Sequence, residues 1–140
     1  MSDISLESPF EYDSIEGIGK LFYPTIRLPI LTVNGWIILK FLVDTGADIT
    51  TIPEHLLPII GINMKNLKIS WAKGVGGVVV KTWDTNLKIM IGTEELNIAT
   101  SVVNTRDKFT PLLLGRKDIF EDKFSLLLDS KLKKTVIFRN

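Results

Sequence analysis

Short apolar, β-branched runs cut by glycine-bearing turns dominate this chain, and that rhythm confines it to a fold assembled from hairpins. Residues 23–43 hold two such runs with Asn34-Gly35 between them, the strongest short-range hairpin signal, because both residues tolerate the positive φ of a two-residue turn. Leu87, Ile89 and Ile91 alternate with Lys88 and Met90. After Gly92-Thr93-Glu94-Glu95, the residues Leu96, Ile98 and Val102 continue the period of two, so a hairpin with one buried face is expected. Residues 67–71 and 78–83 flank Ala72-Lys73-Gly74-Val75-Gly76-Gly77, which predicts a further hairpin with a mobile, glycine-rich tip. Leu112-Leu113-Leu114 reads as a short buried strand stopped by Gly115, and residues 124–128 and 135–138 as a closing hairpin around Asp129-Ser130-Lys131. Helix signals are sparse. Pro53-Glu54-His55-Leu56-Leu57-Pro58 predicts one helical turn, and residues 116–122, polar apart from Ile119 and Phe120, predict a short helix near the carboxy terminus. The expected class is all-β.

With 140 residues, 45% of them hydrophobic and 24% charged, the chain can bury one core, and a single domain is the default. A net charge of +1 without any long Lys/Arg block leaves no electrostatic footprint for nucleic acid or an acidic membrane. The longest apolar stretches are interrupted, as Lys40 interrupts residues 36–43, so no membrane span is expected. The absence of cysteine excludes disulfides, a thiolate nucleophile and a cysteine metal site. His55, the single histidine, falls in the short proline-started segment, where a solvated helix position suits it better than a ligand or base. Serine-protease and zinc-hydrolase readings therefore lack a partner, and neither metal nor cofactor is expected. The first residues lack the basic and apolar regions of a signal peptide, so a cytoplasmic location is expected. Residues 1–19 carry Asp3, Glu7, Glu11, Asp13 and Glu16 before the first positive charge at Lys20. They read as an acidic lead, mobile or late to pack, ahead of a domain over residues 20–140.

Chemistry concentrates in Phe41-Leu42-Val43-Asp44-Thr45-Gly46-Ala47-Asp48. An apolar strand delivers one carboxylate, an expensive placement unless the acid has a task. Thr45 can hydrogen-bond across a tight backbone, and Gly46 lets main chain approach a carboxylate where a Cβ would collide. Asp13-Ser14-Ile15, Asp84-Thr85-Asn86 and Asp129-Ser130-Lys131 echo the motif without its glycine and are expected in solvated turns or the tail. Glu94-Glu95 and Glu121-Asp122 are adjacent pairs, which a strand would point to opposite faces. Trp36, Trp71 and Trp83 lack an accompanying basic groove and are assigned to core or dimer packing rather than to base stacking.

Three motifs in this order, Asp44-Thr45-Gly46-Ala47-Asp48, Gly74-Val75-Gly76-Gly77 and Leu113-Leu114-Gly115-Arg116, resemble the retropepsin family, the single-domain aspartic proteases of retroviruses and their cellular relatives. Trp71-Ala72-Lys73-Gly74-Val75-Gly76 is similar to the flap of the eukaryotic DNA-damage-inducible shuttle proteins. The resemblance spans residues 23–138. It implies a closed β-barrel subunit with one short C-terminal helix, two subunits forming one active site. It further implies that Asp44 is the catalytic aspartate, that Thr45 braces the two active-site loops against each other, and that the Gly46 carbonyl meets the substrate backbone. Ala47 and Asp48 would bind substrate main chain, and Gly74, Val75, Gly76 and Gly77 would form a flap closing over the peptide. Arg116 would open the C-terminal helix and pair with Asp48. Counting back from Asp44 without gaps places Arg27 where retroviral enzymes carry an arginine that reaches across the dimer to that acid; an exposed strand arginine is the alternative.

One chain supplies one such aspartate, whereas peptide hydrolysis without metal or covalent nucleophile needs two carboxylates in different protonation states. The expectation is a homodimeric aspartic endopeptidase acting on extended or unfolded polypeptide, with Ile49, Val75 and Leu113 favouring apolar side chains around the scissile bond. The alternative is a catalytically weak retropepsin-fold module for dimerisation or peptide binding. Retropepsins often join their termini in a shared sheet, and residues 135–138 could form that sheet or pair with residues 124–128 inside one subunit.

Overall fold

In the computed structural model, which describes residues 3–73, 75–105, 107 and 109–140, the alternating runs become strands and the glycine-bearing breaks become their turns. In chain order, among the described residues, the strands are β1 (Asp3–Pro9), β2 (Glu11–Ile15), β3 (Gly19–Tyr23), β4 (Thr25–Thr32), β5 (Gly35–Val43), β6 (Thr50–Pro53), β7 (Lys68–Lys73), β8 (Val79–Ile91), β9 (Glu94–Val103), β10 (Leu112–Leu114), β11 (Phe124–Asp129) and β12 (Lys134–Arg139). One short helix, α1 (Leu57–Ile60), follows β6. Pro58 lies in its first turn, and Gly61, at φ 91°, ends it.

Seven strands form a sheet in the order β4-β5-β10-β6-β9-β8-β7. β10 runs parallel to β5, with Leu112 opposite Phe41, and antiparallel to β6; β6 is parallel to β9. A further pairing of Ile30 with Ile89 joins β4 to β8, so the sheet curls back toward its own first strand. Period-two alternation sends Ile26, Leu28 and Ile30 of β4, and Leu87, Ile89 and Ile91 of β8, to the inside, where they meet Phe41, Ile52, Ile98 and Leu114. Each such side chain contributes roughly 1.5–3 kcal/mol on burial. This interior fixes the ends of β5 and β10, and those ends carry the site.

Several elements depart from the sequence pattern for local physical reasons. The β4–β5 hairpin turns at Val33-Asn34, one residue earlier than expected. Gly35, at φ 91°, opens β5 opposite Thr32, whose hydroxyl accepts from the Asn34 N–H (3.1 Å) and donates to the Gly35 carbonyl (2.8 Å). Asp84-Thr85-Asn86, expected in a turn, lies inside the 13-residue β8. Asp84 pairs with Lys68 of β7 and Ser101 of β9, and Asn86 with Ala99 of β9, and this pairing outweighs the weak strand preference of Asp and Asn. Asp13-Ser14-Ile15 likewise sits in β2. Residues 116–122, expected as the C-terminal helix, form a series of turns. The Ile119 and Phe120 N–H groups both donate to the Arg116 carbonyl (3.1 and 3.0 Å), but Asp118 takes φ 69°, outside the right-handed helical region, and the ladder stops there.

The acidic lead contains β1, paired with β12 from Asp3 opposite Arg139 to Pro9 opposite Lys134, and β2, paired with β3. Charge suggested a segment apart, yet Leu6 packs against the core and the Glu7 carboxylate meets the Lys134 ammonium at 2.8 Å. β12 lies between β1 and β11 in a three-stranded sheet, so residues 135–138 pair with 124–128 within one subunit. Among the described residues no helix is long and apolar enough to cross a membrane.

Candidate active site

The end of β5 is anchored on both sides before it releases Asp44. The Val43 N–H donates to the Pro24 carbonyl (2.9 Å), and the Asp44 N–H donates to the Leu114 carbonyl at the end of β10 (3.0 Å). The chain then turns sharply, with the Ala47 N–H donating to the Asp44 carbonyl (3.1 Å). Inside this turn the Gly46 N–H donates to Asp44 Oδ1 at 3.0 Å. A Cβ at position 46 would stand 3.3 Å from that same oxygen, which accounts for the glycine. Asp44 is half-buried, Thr45 and Gly46 are exposed, and among the described residues no hydrogen bond inside the chain engages the Thr45 hydroxyl.

A second segment locks the turn from behind. The Gly115 N–H donates to the buried Thr50 Oγ1 at 3.0 Å. A Cβ on Gly115 would lie 2.5 Å from the Ile49 carbonyl carbon and 2.7 Å from both Ile49 O and Thr50 N, so the two backbones cross in direct contact. The Arg116 N–H donates to the Ala47 carbonyl (3.1 Å) and the Lys117 N–H to the Asp48 carbonyl (2.9 Å). The Arg116 guanidinium donates from Nη1 to the Thr45 carbonyl (3.0 Å) and from Nη2 to Asp48 Oδ1. Arg116 thus ties both ends of the turn together, and the Asp48 carboxylate is committed to it. Among the described residues, Asp44 is left as the carboxylate of this turn outside an ion pair.

Opposite the turn stands the β7–β8 hairpin, whose tip holds Gly76 at φ 85° and Gly77 at φ 81°. Gly74, assigned to the same tip, lies outside the described residues. A cleft of about 680 Å³ opens between Ala47, Asp48 and Ile49 on one side and Ser70, Ala72 and Asp84 on the other. Ser70 Oγ donates to Asp84 Oδ2 at 2.6 Å within the β7–β8 wall of the cleft. Ile49 is exposed at the cleft, whereas Leu113 is half-buried within β10 and is not among the residues lining it.

Arg27 sits on β4 opposite Lys40, and both cations face Glu11 of the first hairpin: Arg27 Nη2 lies 3.7 Å and Lys40 Nζ 3.2 Å from Glu11 Oε1. Within the subunit Arg27 therefore meets Glu11 and not Asp48. The Thr25 hydroxyl beside it, followed by Lys40 and Arg27, holds the Glu11 carboxyl below the usual glutamate range, against the opposing effect of burial. Two residues of this framework escaped the sequence reading. Thr50 offers no periodic signal that separates a hydroxyl bracing Gly115 from any strand threonine. Glu11 lies 29 positions from Lys40, beyond the reach of local pattern.

A curled β-sheet that presents Asp-Thr-Gly on a clamped turn, across a cleft from a glycine-tipped hairpin, defines a retropepsin-like protein. Residues 31–118 match the family described as "gag-polyprotein putative aspartyl protease", and the chain belongs to that family. It is similar in structure to a retropepsin-like aspartic protease from Rickettsia conorii, with a TM-score of 0.60 and 18% sequence identity over 99% of this chain and 94% of that one. It is also similar to EIAV protease complexed with the inhibitor HBY-793, with a TM-score of 0.50 and 23% identity over 67% of this chain and 82% of that one. No curated protein matches it in sequence. At these identities the two structures speak for the fold alone.

Proposed function

We propose that the protein is a homodimeric aspartic endopeptidase that hydrolyses peptide bonds in extended or unfolded polypeptides. The observation that carries this reading is the Asp44 carboxylate, oriented by the Gly46 N–H on a turn clamped by Arg116 and supplied once per chain. A twofold axis would set Asp44 beside Asp44 of a second copy. Two carboxylates at hydrogen-bonding distance share one proton, because ionising both is costly. The ionised Asp44 then removes a proton from water while the protonated one donates a hydrogen bond to the scissile carbonyl; after attack, the proton passes to the leaving nitrogen. The exposed Thr45 hydroxyl, which no hydrogen bond engages among the described residues, would bond across the axis and hold the two turns in register. Closure of the glycine-bearing β7–β8 tip would cover the peptide and exclude water.

Incubation with casein across pH 3 to 7, with and without a statine-type inhibitor, tests this beside Asp44→Asn. Inhibitor-sensitive cleavage is expected in the acidic to mildly acidic range, reduced at least about 100-fold in Asp44→Asn, with the unfolding midpoint retained. Equal cleavage by both proteins would expose a contaminant. No cleavage by a stable dimer would instead favour a peptide-binding module.

A further inference from the structure

We propose that the β2–β3 hairpin is an arm that latches two copies of the chain together, its tip seated on the exposed face of the second copy's β7–β8 hairpin. The proposal rests on the homodimer of the peptidase reading and assigns a surface that joins its two copies.

Among the described residues β2 and β3 pair with each other and with no other strand, and none of residues 11–23 is buried. A lone two-stranded ribbon is marginally stable in water unless it packs against something. The contacts that hold it gather at its base, where Glu11 meets Arg27 and Lys40 and the Phe22 ring stacks on Phe10 with centroids 4.5 Å apart. Beyond Glu11, β2 runs on to Ile15, about 13 Å along a strand. Its far end is a closed turn rather than a loose loop: the Ile18 N–H donates to the Ile15 carbonyl (3.1 Å), and Gly17 takes φ 83°. This turn holds out Ile15 and Ile18, the latter 70% exposed, with the exposed Tyr12 and Phe22 behind them. An apolar display on a built arm is the mark of a docking surface.

Symmetry and chemistry together select a second copy as the occupant. The base of the arm adjoins the catalytic turn, because Tyr23 precedes Pro24, whose carbonyl accepts the Val43 N–H (2.9 Å). The subunit's own β7–β8 hairpin stands over the other flank, across the cleft from Ala47, Asp48 and Ile49. A twofold axis that sets Asp44 beside its copy turns that flank of one subunit toward the arm of the other. The face that arrives there suits the arm. Trp71 stands opposite Lys81 and Lys73 opposite Val79, so the four share one face of β7–β8, with Trp71 68% and Val79 57% exposed. Ser70, Ala72 and Thr82 alternate with them and line the cleft, which Trp71 also borders. Charge is complementary as well. The arm carries Asp13 and Glu16, and the receiving face Lys73 and Lys81; none of the four is in an ion pair among the described residues. Lys20, the cation of the arm, lies 4.4 Å over its own Tyr12 ring.

The chain has no cysteine, so introduced thiols report contacts without background. Ile18→Cys and Val79→Cys, made as separate full-length variants, are mixed and treated with a short bismaleimide, and any link between the two variants is then intermolecular. A cross-linked pair is expected from this mixture, and none when Lys131→Cys, between β11 and β12, replaces Val79→Cys. Sedimentation supplies a second measurement. Ile18→Ser and Val79→Ser, both at exposed positions, are each expected to raise the dimer dissociation constant at least about fivefold with circular dichroism unchanged. The double variant should fall short of the product of the two effects, because both remove one contact. A dimer that forms without the Ile18–Val79 link, or whose dissociation constant ignores Ile18→Ser, would overturn the latch; inhibitor-sensitive casein cleavage by that dimer would leave the peptidase reading standing. A linked dimer that cleaves nothing supports the latch and removes the peptidase reading instead. A chain that stays monomeric at every concentration refutes both.

Discussion

At the scale of single residues, the turn shows how two positions of similar chemical modesty carry different burdens. Gly115 is a packing requirement, because any Cβ there must displace the Ile49–Thr50 backbone, and backbone cannot rotate away as a side-chain tip can. Gly115→Ala is therefore expected to lower stability by about 1–3 kcal/mol, read as a drop in the urea midpoint at unchanged m-value. Arg116 behaves in the opposite way. Its side chain is 48% exposed and that of Asp48 86%, so the ion pair is screened by solvent and Arg116→Lys should change stability by less than about 1 kcal/mol. Lysine carries one point charge where the guanidinium fork reaches both the Thr45 carbonyl and Asp48, so peptide cleavage should fall well beyond the loss in stability. Parallel measurement of kcat/KM and unfolding on this variant would show the two quantities separating; a proportional fall in both would remove Arg116 from the positioning of the turn. Asp44 and Gly46 were legible in the sequence because their demands are local, a strand end and a tight turn, whereas Arg116, whose partners lie 71 and 68 positions away, was legible only through the resemblance of Leu113-Leu114-Gly115-Arg116 to the family. Thr50 and Glu11 were not, since their partners lie 65 and 29 positions away.

At the scale of elements, period-two alternation located the strands, while long-range pairing decided where they stop. Asp84 and Asn86 read as a turn because their side chains disfavour a strand, but β9 pairs with β8 through both positions, with β7 joining at Asp84, and carries it through. The Arg116 turns show the converse: two helical bonds form, and one positive φ at Asp118 ends them. In the first hairpin the acid Glu11 is an ion-pair partner of Arg27 and Lys40, a long-range role that charge counting does not separate from a solvated carboxylate. Glu11 gives that hairpin a pH dependence whose sign is determined. Its carboxyl titrates lower in the folded chain than in the unfolded one, so on acidification the unfolded chain takes up the proton first. The stabilisation is present at neutral pH, above the ordinary glutamate pKa, and is lost as pH falls through the lowered folded value. Urea unfolding at neutral and acidic pH should therefore give Glu11→Gln a smaller acid-induced loss of stability than the wild-type chain. An identical loss in both would show that the tether does not titrate with folding.

At the scale of the whole molecule, completeness of fold and completeness of site come apart. The terminal strands β1, β12 and β11 pair within one chain, and the curled sheet encloses its own interior, so the subunit satisfies its core without a partner. Among the described residues the turn at Asp44 supplies a single carboxylate outside an ion pair, and the chemistry proposed for it needs two. Folding and activity should consequently respond differently to dilution. Far-UV circular dichroism and the thermal transition of the diluted protein are expected to persist, because neither rests on the second copy. Specific activity should instead fall with concentration in step with the dimer fraction measured by sedimentation, and should approach zero as that fraction does. Mixing in excess Asp44→Asn subunits should lower activity further at constant total protein, since each mixed dimer pairs one ionisable acid with an amide that cannot share its proton. Activity that stays proportional to wild-type chains through both dilution and mixing would mean that one subunit acts alone, and the catalytic assignment of Asp44 would have to be abandoned.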